Sequence, residues 1–595
     1  MMHMHSHYGV PCSCKRKSVV GIVFVPGIMG SRLFNRQESE VVWDPAVGMG
    51  DHPTGWLLEK LEQQNQNRKL RLKYLVDYKS KSRSANSSKT IGERTKEYLE
   101  VADKQKYHVS AVAREQEAQW QKSRKGEFLW NILSLAFKDA KGRKEMLVHK
   151  NASSLVRDDE LLSVDQGTDE YFKIHTSVKP SRIVQRRQQG WGEVSWGSYG
   201  KFLSWLDSWI SSELGYQFYN WSFATYAVGY NWMQSNRKSG QRLKTRIDEI
   251  RQELAVEHQV EPANVKIIVI SHSMGGFVAR SAAVLENADI DTVIHGAMPT
   301  DGSPATYVNA RSGYGMPAGV ALGMNAAEVT AILGFCQGGL ELLPNQHYRD
   351  AKGNSDWLKI EVEGQETLSI NKDFPGEKIY DFYKDLSQWY SLIQPELLVP
   401  RSRVSIKNLV KHHRKRIDST EKFHLDLSDY YHFNTRLLYG VNENMPSYDQ
   451  CVWSAQQSPK GKPYEWKIVA DQNYGFSFGE GEISLADSQS IKDYQQRLKN
   501  ADRSAIFDEG KRLQIMRAVG PLNSHIFQIK PASAPGDATV HSGAGTHPNL
   551  LNSHKFPMKL DQEHQLFFDS DDVMVKVSEL LWQQADRFDK ESKGL

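Results

Sequence analysis

The stretch Ile268-Val269-Ile270-Ser271-His272-Ser273-Met274-Gly275-Gly276 leads a continuous apolar run into a serine and then into two glycines. An apolar run that stops at a serine and resumes as a helical pattern, here FVARSAAVLEN, predicts a sharp strand-to-helix turn that presents Ser273 as a nucleophile. A serine hydroxyl attacks a carbonyl only when a base takes its proton and when donors receive the charge that develops on the carbonyl oxygen. The Met274 amide, next to the serine at a helix start, is expected to be one donor. A second is expected from Ile28 or Met29 in the turn Pro26-Gly27-Ile28-Met29-Gly30-Ser31, which ends an earlier apolar run. The chemistry is acyl transfer through a serine ester. One position departs from the usual pattern: Ser271 stands where a glycine ordinarily lets the turn cross its neighbours closely.

The elements that must position these residues are legible around them. Val19–Val25 (VVGIVFV), Phe223–Val228 (FATYAV) and Val265–Ile270 (VKIIVI) read as strands buried on both faces. Between the last two, Leu243, Ile247, Ile250 and Leu254 recur at helical spacing within Gln241–His258. Strand, helix, strand is the parallel α/β pattern. A helix over 275–285, a strand over 292–298, a last strand over 525–529 and a last helix over 572–588 complete the expectation. The core is then discontinuous: 19–50, 190–307 with the nucleophile, and 521–595. It follows a flexible tail, 1–18, and carries two insertions, a polar helical one over 51–189 and a cap or lid over 308–520.

The chain has 595 residues, 39% of them hydrophobic, which is ample for a core and excludes wholesale disorder. Its 75 basic and 71 acidic residues leave a net charge of +4, so no nucleic-acid partner of the kind bound by a uniformly basic protein is expected. Four cysteines are too few for a disulfide framework in a fold of this size and suit synthesis in a reducing compartment. His3, His5, His7, Cys12 and Cys14 match no zinc spacing, and no metal or cofactor is expected. No run of about 18 uninterrupted apolar residues predicts a membrane-spanning helix. The nearest, over 316–336, reads as a buried helix or a cover for an apolar pocket.

Several of these segments together resemble the lecithin:cholesterol acyltransferase and GPI inositol-deacylase branch of the α/β-hydrolases. They are VFVPGIMGSRL followed by WDP, YAVGYNW followed by QSN, SHSMGG, LELLP at 340–344 and PGDATVHS at 535–542. The resemblance implies an α/β-hydrolase fold and a Ser-Asp-His triad in that chain order, acting on lipid or related acyl esters. It makes Ser273 the nucleophile and Asp537 the acid, with Asp301 of PTDGSP as the rival. Ala538 stands where the family usually has glycine. The base must follow the acid, among His541, His547, His554 and His564; His564, directly before the final helix, is where this fold places its histidine loop. Asp569–Asp572 could suggest calcium, but a helix N-cap with acidic first-turn residues is the simpler reading.

Two segments suggest a lipid surface. Glu127–Phe137 (EFLWNILSLAF), which contains Trp130, is apolar and flanked by lysines and arginines. Residues 401–416 hold seven Lys or Arg, including Arg401, Arg403, Lys411 and Arg414, and no acid. A packed cap helix and a solvated charged face are the plain alternatives. The tryptophans 191, 196, 205 and 209 are expected to wall an acyl pocket. The first eighteen residues carry no Sec-type signal, which fits a further resemblance, to bacterial type VI secretion lipase effectors. These are made in the cytoplasm, delivered by contact to another cell's periplasm or membrane, and imply a cognate immunity protein and a secretion-apparatus partner. An intracellular carboxylesterase, an acyltransferase, and an inactive hydrolase-like binding protein are the competing readings.

Overall fold

The computed structural model describes residues 6–7, 10–11, 18–36, 39–44, 140–148, 162–314, 323–398, 405–471, 481–500 and 522–594. Trp130 and the rest of the apolar segment over 127–137 lie outside them, as do Arg401 and Arg403.

The central sheet has six strands: β1 (Ser18–Val25), β2 (Trp221–Ala227), β3 (Val265–His272), β4 (Thr292–Gly296), β5 (Thr435–Gly440) and β6 (Lys555–Met558). Their order is β6-β5-β4-β3-β1-β2, and every pairing is parallel. Strand side chains alternate between faces, and here both faces are covered. Val19, Val23, Val265, Ile267 and Val269 pack on one side with Leu243, Ile247, Ile250 and Leu254 of helix α2 (Asn236–His258). Val20, Ile22, Phe24, Ile268 and Ile270 pack on the other with helix α1 (Trp196–Trp209) and the final helix α5 (Asp571–Ser592). The four apolar residues of α2 are all fully buried, worth on the order of 2 kcal/mol each. This is the α/β-hydrolase fold, a parallel sheet clothed by helices with further segments inserted between its strands.

Two strands depart from the sequence-based expectation. His525–Ile529 is not the last core strand; it pairs antiparallel with Cys451–Ala455 and Glu482–Ala486 in a second six-stranded sheet. The core place instead goes to β5, which lies inside the span expected to be cap, and to β6. The reason is local. Ile526 is half exposed while Phe527 is buried, the alternation of a one-sided sheet, whereas β5 buries Leu437 and Leu438 on successive positions. The polar span over 51–189 also supplies a strand, Leu162–Val164, to a small sheet with Leu33–Asn35 and Glu40–Trp43. That sheet follows directly on the turn at the end of β1. The apolar stretch over 316–336 yields a buried helix, Ala326–Leu333, packed against Ala140–Leu147.

The cap is clasped to the core by a buried acid. Glu341, of LELLP, is fully buried, and its carboxylate accepts from the Asn236 amide at 2.7 Å and the Asn236 side chain at 2.8 Å. It thereby sits at the N-terminus of α2, where a negative charge is favoured. Burial nonetheless raises its pKa to about 7, against the donors from Asn236, Ser235 and Gln337. A carboxyl raised in the folded state contributes stability that is present below its unfolded pKa and lost as pH rises through about 7. Stability to urea is therefore expected to fall between pH 5 and pH 8 by about 3 kcal/mol from this group. Glu341→Gln should flatten that slope. An unaltered slope in the variant would show that the carboxyl does not titrate between the two states as argued.

Candidate active site

The turn after β3 carries Ser273 at φ +51°, the left-handed region a non-glycine residue enters at a cost. The Ser273 amide donates to the Gly296 carbonyl of β4 at 2.9 Å, and helix α3 (Gly275–Arg280) begins two residues on. Gly275 is needed for this crossing, since a Cβ there would overlap the Pro26 carbonyl oxygen. Ser271, where glycine was expected, is fully buried, and its hydroxyl meets His295 Nδ1 at 2.7 Å. The extra atom is accommodated because β4 offers it a partner.

Three side chains from distant segments converge on this turn. His564 Nε2 lies 2.8 Å from Ser273 Oγ, and His564 Nδ1 donates to Asp537 Oδ2 at 2.8 Å. Asp537 is fully buried, while Ser273 and His564 are 5% and 8% exposed, so the hydroxyl and the imidazole are open to an entering molecule and the carboxylate is not. The other oxygen of Asp537 accepts from the amides of Thr539 at 3.0 Å and Val540 at 2.7 Å. Ala538 sits at φ +72° in this loop, which explains why a glycine is usual there. The His564 amide donates to the Asp537 carbonyl at 2.8 Å, joining the two loops through their backbones as well. All of these groups lie at the C-terminal ends of the parallel strands, where this class of sheet places its sites.

The rival residues are engaged elsewhere. His541 is buried, bonds the Tyr348 hydroxyl at 3.0 Å, and is held by burial down to about 4. His547 meets the Asp350 carbonyl at 2.9 Å, and His554 lies in the turn before β6. Asp301 faces Asn345 and Arg280, and burial raises its carboxyl. Asp571 and Asp572 occupy the first turn of α5.

The turn after β1 is closed by the Gly30 amide on the Gly27 carbonyl at 3.1 Å, with Met29 at φ +62°. The indole of Trp43 donates to the Met29 carbonyl at 2.8 Å and holds the turn from outside. Among the described residues the amides of Ile28, Met29 and Met274 donate to no other group, so they are free to serve an incoming oxyanion. Helix α1 and the turn before it contribute here. Trp191 is buried with its indole N–H on the Thr225 carbonyl at 3.2 Å, and Trp205 and Trp209 stack on each other along α1. With Trp196 these rings pack against the apolar cluster on this side of the sheet. The residue of α1 that joins the site is Tyr199, whose hydroxyl accepts from the Gly27 amide at 3.0 Å. Sequence reasoning missed Tyr199 because nothing in WGSYGKF distinguishes it from any buried tyrosine. Lys411 and Arg414 lie on the exposed side of helix α4 (Ile406–Leu427), and Arg414 donates to the Lys384 carbonyl at 3.0 Å. Among the described residues no helix is long and apolar enough to cross a membrane.

Comparison with known proteins places these features in context. Residues 219–311, which include β2, α2, β3 and the Ser273 turn, match the family described as PGAP1-like alpha/beta domain. The chain is similar to the crystal structure of a Tle4–Tli4 complex at a TM-score of 0.61 and 20% identity, over 96% of this chain and 99% of that one. A likeness of that extent shows a shared fold. Phospholipase PlaB from Legionella pneumophila, in complex with thio-NAD, aligns at 13% identity over 48% of this chain and 81% of its own, but at a TM-score of 0.16 that carries no argument. A search of curated proteins gives no match.

Proposed function

We propose that a chain with this α/β-hydrolase fold hydrolyses acyl esters of membrane phospholipids, as an antibacterial effector of the type VI secretion kind. One observation carries the enzymatic reading: the continuous chain of hydrogen bonds from Ser273 through His564 to Asp537. In this reading His564 takes the Ser273 proton as the oxygen attacks the ester carbonyl. The Met274 amide and that of Ile28 or Met29 receive the oxyanion. Collapse releases the glycerol-bearing alcohol, which takes its proton from His564 and leaves an acyl-serine. Water, deprotonated by His564, then frees the fatty acid and restores Ser273. Asp537 holds the imidazole with its proton on Nδ1 and stabilises the cation that forms.

The lipid class is supported by the sequence resemblance and by the PGAP1-like match over the segment that holds the nucleophile. The effector reading is supported by the full-length likeness to a structure determined as a Tle4–Tli4 complex, and it assigns this chain an immunity-type protein as partner. The basic exposed side of α4, with Lys411 and Arg414, is assigned to anionic headgroups.

The test is incubation with bilayers of phospholipid labelled separately at each acyl chain, with Ser273→Ala as control. Release of fatty acid and lysolipid by the wild type alone is expected. Cleavage of short soluble esters with bilayers untouched would refute the lipase reading, and transfer of label to an added alcohol in place of water would make it an acyltransferase.

A further inference from the structure

We propose that Tyr199 and His272 are positioning residues, a buried relay that fixes the oxyanion turn and the His564 loop relative to each other. The inference rests on reading Ser273, His564 and the turn over 26–31 as the reacting site. Neither residue meets the nucleophile's proton path, yet together they join its two sides through three hydrogen bonds. The Gly27 amide donates to Tyr199 at 3.0 Å, Tyr199 meets His272 Nδ1 at 2.9 Å, and His272 Nε2 meets the His564 carbonyl at 2.9 Å.

The donors and acceptors allow one arrangement. A carbonyl only accepts, so His272 carries its proton on Nε2. An amide N–H only donates, so the Tyr199 oxygen accepts it and its hydroxyl proton goes to the bare Nδ1 of His272. The other tautomer would leave Nε2 without a proton and lose the bond to the His564 carbonyl. Tyr199 and His272 are each 1% exposed, so no bulk water replaces a lost partner and each unmade bond carries the full penalty of a buried polar group. Burial, and next the neighbouring His564, keep His272 far below the usual histidine range. It therefore stays neutral while His564, 5.0 Å away ring to ring, gains and loses its proton.

The effect is positional at both ends. The backbone of His564 is held on both sides, its amide by the Asp537 carbonyl and its carbonyl by His272. At the other end Tyr199 lies directly beneath the oxyanion turn, so close that a Cβ on Gly30 would meet its ring and hydroxyl at 2.8 Å. The height of that turn sets where the Ile28 and Met29 amides stand over the ester carbonyl. A displacement of about 1 Å of either group costs about 10²-fold in rate.

The test uses Tyr199→Phe, which keeps the ring, His272→Leu, which keeps the apolar bulk, and His272→Gln, whose amide can still donate to the His564 carbonyl. With a soluble ester, the first two should lower kcat about 10²-fold with KM within about twofold, as for a loss of placement without loss of binding. His272→Gln should regain most of that loss. A second readout needs no turnover: the far-downfield proton signal of His564 Nδ1–H, identified by its absence in His564→Ala. It should be sharp in the wild type and His272→Gln and broadened by exchange in the other two. Full rates in folded Tyr199→Phe and His272→Leu, equal losses in His272→Gln and His272→Leu, or an equally sharp signal in all four proteins would each overturn the relay. A wild type that cleaves no ester but shows the expected pattern of signals would refute the hydrolase reading and leave the relay standing.

Discussion

Alanine at Ser273 is expected to lower ester turnover by about 10⁶-fold and to abolish labelling by a fluorophosphonate probe. In the proposed mechanism the hydroxyl is the atom that forms the acyl bond, and its base is the imidazole nitrogen 2.8 Å away. His564→Ala removes that base and is expected to cost nearly as much, while the double variant falls no further, because the two act as one unit. The fold should be undisturbed, since the change removes a single oxygen and leaves the backbone of the turn as it is. Melting temperature and labelling measured together separate loss of chemistry from loss of structure. Labelling of Ser273→Ala equal to that of the wild type would place the nucleophile elsewhere.

The second large effect concerns a residue that never meets substrate. Asp537→Asn keeps the size of the side chain, but its two ends become unlike. The carboxylate oxygen that accepts from the Thr539 and Val540 amides needs an acceptor there, so the asparagine oxygen stays with them. Its amide nitrogen then faces His564 Nδ1, which must accept and so gives up its proton to Nε2. An imidazole protonated on Nε2 cannot take the Ser273 proton. A fall of about 10⁴-fold in kcat is expected, with KM little changed because Asp537 is fully buried. A loss under tenfold, or one confined to KM, would be incompatible with this role.

Much of the nucleophile's setting could be read in one dimension because it is built from adjacent residues. VKIIVI is a buried strand, FVARSAAVLEN a helix, and only a turn of few residues separates them. The departure at Ser271 could not be judged that way. Its hydroxyl is tolerated because His295, on the neighbouring strand, receives it, and strand neighbours are a property of sheet order. The choice among four histidines was of the same kind. His541 is only four residues from Asp537, but its ring is committed to the Tyr348 hydroxyl. His564 reaches Asp537 because β6 and the loop after it return the chain to the same end of the sheet.

The tryptophans of α1 and the strand over 525–529 mark where local pattern runs out. Tryptophans at 205 and 209, four apart, share one helix face, and whether that face borders a pocket or a sheet depends on how the helix is laid down. The strand over 525–529 reads as apolar and short, as do β5 and β6, so assignment to one sheet or the other rests on partners 40 to 142 residues away. Local periodicity and turn chemistry by themselves determined that this chain has a parallel α/β core and a serine poised at a strand-to-helix turn. Only the tertiary structure decided which histidine meets that serine and which acid meets that histidine, and that Tyr199 and His272 join the two sides of the site. Those contacts join groups 27 to 292 residues apart in the chain, and hydrogen bonds of a few ångströms between such groups exist only once the sheet has brought their loops to one edge.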